Sequence, residues 1–451
     1  MQPYNKLMNP LVTYCVGSLL LTTLLNPVYS QEVSSLSDTL SLSVEQVWER
    51  TNKNSKQVHS KELANEIRAE QVQDAIRDKW PTLAVFASVQ QASNIPIYDQ
   101  GIFHKPSQHE VIHTLYNTGA DMYLNLYSGS KITLAIQEKK LLKKIADIEV
   151  DQSKATLRYE ASSLFLSLQQ SLIFKRVMQE NIVEQAHQLK EVKDYFEQGV
   201  ILKSDILRMD LELSKRRMTL LEIENDIKLI TQKLNQLMGL PDEQVIKPMG
   251  LGDYMAPVES YEDALQLALH QSYENRLSEK HTEHAALAVK QVKTNLRPVV
   301  GMTGNFTFAN PQIFLYPYND SWYSLGMIGL KASYQLSALW HTKHKIAAAK
   351  LAYEQEEVNH HYVQDQVRQQ LKEAYLRYNE ALTRIDVQKK NFAQAKENAR
   401  IIKNTYFNQT SLITDLLDAN LQVLKTQFEL ESAKIVAQNK YYILQLTKGT
   451  L

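Results

Sequence analysis

The residues able to do chemistry do not assemble into a catalytic pattern. There is no Gly-x-Ser-x-Gly elbow, no His-Glu-x-x-His pair and no Gly-rich phosphate loop. His281 and His284, like His341 and His344, stand three apart on helical segments, a spacing that can ligate a metal. No carboxylate spacing supports either pair, so no metal and no cofactor is expected. The carboxylates that stand out are Asp415 and Asp418, three apart and therefore on one helix face. Two readings of them stand side by side. As first-turn residues capped by Thr414 they favour the positive end of a helix dipole. Repeated around a ring of copies, they would attract cations and repel anions in a narrow pore. Asp205, with Ser204 before it as cap, is expected mainly to serve its own helix.

The elements that position these residues repeat. The segment Tyr195-Phe196-Glu197-Gln198-Gly199-Val200-Ile201-Leu202 leads into Asp205-Ile206-Leu207. At an offset of 210, Phe196 matches Tyr406, Leu202 matches Leu412, Asp205 matches Asp415 and Leu207 matches Leu417. Heptads continue the match. Ile206, Leu213, Leu220, Ile227 and Leu234 answer to Leu416, Val423, Leu430, Ala437 and Leu444. Such a seam predicts supercoiled helices packed knobs into holes. A second seam, Met209, Ile223, Ile230 and Leu237, is interrupted by Arg216. Its counterpart, Ala419, Thr426, Ala433 and Lys440, predicts close packing or a wet face. The helices before the two turns, about 132–196 and 343–406, lack proline and should each reach on the order of 100 Å. That length suits a span between distant places, not a compact domain.

Each unit also changes period. A helix from about Val44 to Lys79 stops at Trp80-Pro81, and one from Tyr261 to Leu296 stops at Arg297-Pro298. Strands of alternating polarity are then expected at 82–92 and 119–128, and at 299–309 and 323–336. Ala120, Met122, Leu124 and Leu126 form one apolar edge. Val300, Met302, Gly304, Phe306 and Phe308, and Ile328, Leu330, Ala332, Tyr334 and Leu336, form the others. One apolar and one polar face over about ten residues is the pattern of transmembrane β-barrel strands. A soluble sandwich edge would show it too. Aromatics crowd the strand ends and loops: Tyr98, Phe103, Tyr116, Phe314, Tyr316, Tyr318, Trp322 and Tyr323, as at membrane interfaces.

Residues 1–30 read as a signal peptide, with Lys6, an apolar run from Leu11 to Leu25 and a cleavage site after Ser30. The run is short for a spanning helix. Cys15, the only cysteine, lies within it, so the mature chain should form no disulfide and no thiolate metal site. No later run is long enough to span as a helix. Any crossing must therefore use strands. Four strands cannot close a barrel, which needs about eight or more, and bare edges are not tolerated in lipid. Two, three or four copies would supply eight, twelve or sixteen. Lysine plus arginine equals aspartate plus glutamate, 50 each, so no nucleic-acid partner is indicated.

From Val44 to Leu446 the arrangement resembles the TolC family of outer-membrane efflux and secretion channels. The order helix, proline, strand, loop, strand, long helix, turn, helix occurs twice, over 31–250 and 251–451. The motifs Phe196-x-x-Gly199 with Asp205-Ile206-Leu207, and Tyr406 with Asp415-Leu416-Leu417-Asp418-Ala419, resemble that family's tip. The resemblance implies duplicated helical hairpins in a trimeric α-barrel and a shared twelve-stranded barrel in the outer membrane. It implies an aperture at the helical tip, with Asp415, Asp418, Tyr406 and Asp205, and Tyr406 bracing it. It also implies a periplasmic adaptor and an inner-membrane pump as partners. The apolar turns Gly199, Val200, Ile201 and Leu202, and Ser411, Leu412 and Ile413, are the expected adaptor contacts, with contact between protomers as the other reading. Gln409 stands where the family usually has glycine, which predicts a different turn there. Ser411 replaces a residue that is often basic. The rival reading is a periplasmic coiled-coil adaptor or scaffold.

Overall fold

Two prolines and two serines punctuate the chain before any tertiary contact forms. Pro81 and Pro298 follow helices and precede strands, since proline can neither continue a helix nor donate its backbone N–H. The computed structural model describes residues 39–249, 259–312, 317 and 319–451, all within one unit, Thr39–Leu451. The expected signal peptide with Cys15, and Phe314, Tyr316 and Tyr318, lie outside the described residues.

The single helices expected before each proline are in fact pairs. Helix α1 (Val44–Asn54) ends at Ser55, which is extended and whose Oγ accepts the Val58 N–H to start α2 (Lys56–Arg77). Helix α5 (Tyr261–Gln271) likewise ends at Ser272, before α6 (Tyr273–Thr294). The two pairs match at an offset of 217, from Val44 to Tyr261 and from Ser55 to Ser272. The offset at the tips is 210, so the segments between absorb the difference. A short parallel pair that periodicity does not reveal, β1 (Leu40–Leu42) with β6 (Ile246–Pro248), ties the start of the described chain to the end of the first unit.

The main sheet joins the two units. Strands β2 (Thr82–Gln91), β5 (Thr114–Tyr127), β7 (Val299–Asn310) and β8 (Tyr323–Ser333) lie antiparallel in that order, while β3 (Ile95–Ile97) and β4 (Ser107–His109) form a small hairpin in the first loop. The strand expected over 119–128 starts five residues earlier, because β2 offers pairing partners out to Gln91, opposite Thr114. The strand expected over 323–336 stops at Ser333, because its partner ends at Val299. Register places Leu83, Val85, Ala120, Met122, Met302, Phe306, Ile328 and Leu330 on one face. That face is bare: Val85 is 85% and Ile328 is 76% exposed. The other face is mainly polar, with Asn305 Nδ2 donating to Asp121 Oδ1 at 2.6 Å, beside Thr303, Thr307 and Lys331, and with Phe86, Leu325 and Met327 among them. A bulge at 125–127 sets Tyr127 rather than Leu126 opposite Val300.

Below the sheet run two long hairpins, α3 (Lys131–Glu197) with α4 (Lys203–Met238), and α7 (Ala338–Phe407) with α8 (Ile413–Lys448). They lie side by side in the order α4, α3, α8, α7. Helices α1 and α2 pack on α3, and α5 and α6 on α7. The interior is a chain of apolar clusters, not one core. The largest gathers Val47, Phe165, Leu168, Leu234, Met238 and Tyr442. The seam of Ala419, Thr426 and Ala433 is closely packed and buried.

At Gly119 a Cβ would stand 2.1 Å from the Phe306 carbonyl oxygen and 2.9 Å from the Phe86 ring. Gly119→Ala therefore has to separate β5 from β7, and overpacking of this kind costs about 1–3 kcal/mol. We expect the substitution to lower the thermal midpoint of the detergent-solubilised protein, whereas Gly326→Ala, with only Phe306 at 3.9 Å, should leave it unchanged.

Candidate functional site at the helical tip

Both hairpins turn with one backbone solution. Gly199 sits at φ +78°, with its N–H donating to Phe196 O at 2.9 Å and that of Val200 to Tyr195 O at 3.0 Å. Gln409 adopts φ +61°, its N–H donates to Tyr406 O at 2.9 Å and that of Thr410 to Thr405 O at 2.9 Å. The different turn expected at Gln409 is thus not found. The helix-ending hydrogen bonds satisfy the last carbonyls and impose the left-handed conformation on glutamine, at the steric cost of a Cβ there, about 1 kcal/mol.

The next residues, Leu202 and Leu412, are extended and cap α4 and α8, with side chains 71% and 69% exposed. Neither Ser204 nor Thr414 is the cap, since each already lies inside its helix. At the second tip Asp415 itself does the capping: its Oδ2 accepts the Leu412 N–H at 3.1 Å. Its counterpart Asp205 is used differently. Ser204 Oγ donates to Asp205 Oδ1 at 3.3 Å, and Tyr406 Oη, reaching from the other hairpin, donates to Oδ2 at 3.4 Å. Matched aspartates thus serve one helix in one unit and join two hairpins in the other.

Tyr406 is only 5% exposed, packed with Leu189, Val192, Met209, Leu213 and Leu416. Its phenol is held well above the usual range, first by burial, then by the Asp205 charge and their hydrogen bond. Phe196, the equivalent in the first unit, is partly exposed and has no hydroxyl to offer. Ile413, expected at the outer surface, turns into this same cluster, and Ile201 leans on it. The apolar surface of the turns therefore comes from Val200, Leu202 and Leu412, while Ser411 Oγ lies 3.1 Å from Thr405 Oγ1. Asp415 and Asp418 are exposed, and the position matching Asp418 in the first unit is Arg208.

Above the tip cluster, polar side chains cross three helices. Arg216, buried on α4, donates to Asn181 Oδ1 on α3. Burial pulls its guanidinium down, and Glu212 and Glu184 oppose that. Gln185 Nε2 donates to Gln188 Oε1 at 3.2 Å, and Asn420 Nδ2 of α8 to the same oxygen at 2.9 Å. Apart from Arg216, periodicity missed these residues. The signal was present: Asn181, Gln185 and Gln188 hold seam spacing where apolar residues belong. Of the histidine pairs, His284 Nε2 lies 3.7 Å from Glu138 Oε1.

The fold has known counterparts. Superposition on the outer-membrane channel OprN gives a TM-score of 0.74 at 14% identity, covering 90% of each chain. The outer-membrane protein VceC of Vibrio cholerae gives 0.73 at 14%, over 90% of this chain and 96% of that one. CusC, a protein that forms a transmembrane channel, gives 0.76 at 12%, over 90% and 92%. The chain has the fold of the TolC-like outer-membrane channels. No family model matches the sequence, and no curated protein matches it. The fold agreement therefore rests on arrangement, at an identity where most side chains differ.

Because Tyr406 loses its proton at higher pH when packed than when free, the packed tip binds more protons than an opened one above pH ~10. Its contribution is fully present below the free phenol's pKa and weakens as pH rises past it. We expect alkaline solution above pH ~10 to loosen the tip, read as increased labelling of a cysteine placed at Leu213. Tyr406→Phe should flatten that pH response and cost about 1 kcal/mol at neutral pH.

Proposed function

We propose that this chain is the outer-membrane duct of an envelope export system, a passive conduit gated at its helical tip. The observation that carries the reading is a four-stranded sheet with one bare apolar face, one polar face and two unpaired edges. Among the described residues no helix is long and apolar enough to cross a membrane. A strand edge in lipid leaves N–H and C=O groups without partners, and only closure into a barrel removes it. The outer edges of β2 and β8 need each other, supplied by further copies.

The helical layer has the same need. The end helices carry exposed apolar stripes, Leu211, Met218 and Leu221 on α4, and Leu351, Val358 and Leu376 on α7. Ring assembly buries both stripes with the strand edges. Three copies, the number that the resemblance to the TolC family implies, give twelve strands and twelve long helices. A periplasmic adaptor or scaffold would leave the apolar sheet face in water, which disfavours it.

In this reading the polar sheet face lines the bore and cargo passes without covalent chemistry. Outer-membrane lipid covers the apolar face, and the helices reach through the periplasm. Tyr406 and Asp205 hold the tip closed. Asp415 and Asp418 form carboxylate rings at the aperture. A periplasmic adaptor, carrying the drive of an inner-membrane pump, docks on Val200, Leu202 and Leu412 near Gly199 and Ser411.

Leu221 and Val387 lie at comparable heights above Asp205 and Tyr406, on α4 and α7. With cysteine at both, a short bis-maleimide should link separate copies into a covalent ladder ending at the trimer. A product that stays monomeric, from protein found in the periplasmic soluble fraction, would sink the duct. In planar bilayers, Asp415→Ala with Asp418→Ala should lower cation selectivity several-fold, as expected when acidic rings are removed. Unchanged selectivity would remove those two from the aperture.

A further inference from the structure

The sheet's apolar face ends differently at its two ends. At the loop end, Phe308 stacks on Trp322 at 4.8 Å and Tyr116 lies 5.8 Å from Trp322. The nearby loops carry Asp99, Glu110 and Asp320 beside Lys105. At the helix end, Trp80 and Trp340 are 68% and 60% exposed, with Tyr127 and Tyr334 also open. Here cations predominate. Arg77 and Lys79 close α2, Lys293 and Arg297 close α6, and Lys343 and Lys345 open α7, all exposed. Asp78 is the sole carboxylate from Arg77 to Pro81, and there is none from Ala285 to Pro298 or from Ala338 to Tyr353. In a chain whose charges balance overall, that is a local excess placed by the fold, because three helix ends distant in sequence meet at one rim of the sheet.

Arg297 shows how the rim is held. Its Nη1 donates to Gly129 O at 3.0 Å and Ser130 Oγ at 3.3 Å, and Gly129 leaves the room that a Cβ would fill, 2.5 Å from the Arg297 Cβ. Arg297 as a whole stays exposed. No described carboxylate pairs with Arg77, Lys79, Lys293, Lys343 or Lys345.

Resting on the duct reading, we infer that this rim is a binding collar for anionic phospholipid headgroups. Exposed tryptophan and tyrosine seek the level between acyl chains and headgroups. Lysine and arginine one or two turns beyond that level meet lipid phosphates, and each strengthens binding to an anionic surface about fivefold. The opposite rim has the aromatic belt, with Lys105 outnumbered by Asp99, Glu110 and Asp320, so the cation excess is confined to the helix end. A free phosphate would find these cations spread around the circumference. A leaflet of anionic headgroups meets them all at once.

The test uses the full chain, purified in detergent and reconstituted into vesicles of phosphatidylcholine alone or mixed with phosphatidylglycerol. Native mass spectrometry of the released protein reads retained lipid. Phosphatidylglycerol should be enriched at least tenfold over its share of the bilayer, and less so at high salt, which screens exposed charges. Lys343→Gln with Lys345→Gln should cut the enrichment several-fold while insertion is unchanged, and Arg297→Lys should largely keep it. Equal retention of both lipids, or the same enrichment in the glutamine variant, overturns the collar. So does a glutamine variant whose only change is anion conductance, since the cations would then line the bore. A chain that enters neither bilayer sinks the duct reading and the collar with it. One that inserts without lipid preference overturns the collar alone.

Discussion

The backbone of a strand carries a donor and an acceptor at every residue, and hydrocarbon offers neither a partner. That constraint governs the rest of this molecule. A soluble protein can leave the outer edges of β2 and β8 to water. A four-stranded sheet in a membrane cannot, so in the duct reading the chain is incomplete alone whatever the quality of its other contacts. Duplication supplies two strands per unit, and in that reading assembly supplies the remainder. The apolar face of Val85, Ala120, Phe306 and Ile328 gains nothing from packing within the chain, because no helix covers it. In the duct reading its stabilisation comes from lipid.

The helical layer answers the same geometry with different forces. Helices satisfy their own backbones, so α4 and α7 can end the array without orphaned groups. What they expose instead is apolar side chains. Ring closure therefore depends on pairing in the sheet and on burial in the helices, with the same neighbour supplying both. The two units then diverge where they meet at the tip. They share a turn geometry so closely that Gln409 accepts a glycine's conformation. They differ in what the third helical residue does. Asp415 binds the Leu412 backbone, while Asp205 is left to take the Tyr406 phenol from the opposite hairpin. The repeat joins its two hairpins at one aspartate and caps a helix with the other by changing partners rather than residues, for both positions remain aspartate.

Much of this architecture was legible in the residue order. The switch from a period of 3.6 to a period of two at Pro81 and Pro298 pointed to the four strands of the main sheet, because one apolar and one mainly polar face leave alternation behind. The heptads located the long hairpins for a similar reason. What escaped was decided at single residues. Ser55 and Ser272 look like ordinary polar helix positions until they are seen extended. Ser204 and Thr414 resemble caps, yet each already lies inside its helix, and the extended caps are Leu202 and Leu412, two residues earlier. Ile413 was read as surface from its neighbours, but a helix face and not a turn decides its direction. The partnership of Tyr406 with Asp205 spans 201 residues, and no local pattern encodes it.

In the duct reading, the break in the seam at Arg216 bears on how a closed tip can also open. A continuous apolar seam would make separation of the hairpins cooperative along its whole length, with each layer adding its own burial. Here the tip cluster of Leu189, Val192, Met209, Leu213 and Leu416 and the cluster of Met178, Ile223 and Leu424 share Ile182, and around that one link stand Arg216, Asn181, Gln185, Gln188 and Asn420. Side-chain amides and a guanidinium can exchange their protein partners for water at little net cost, which apolar side chains cannot. Parting the tip then exposes one small cluster and breaks the Tyr406 bond, and the groups met next are ones that water satisfies. The same residues cost little when the tip is shut, because they bond to one another. The polar layer thus bounds how much apolar surface opening must expose, and confines that cost to the last few turns of the hairpins.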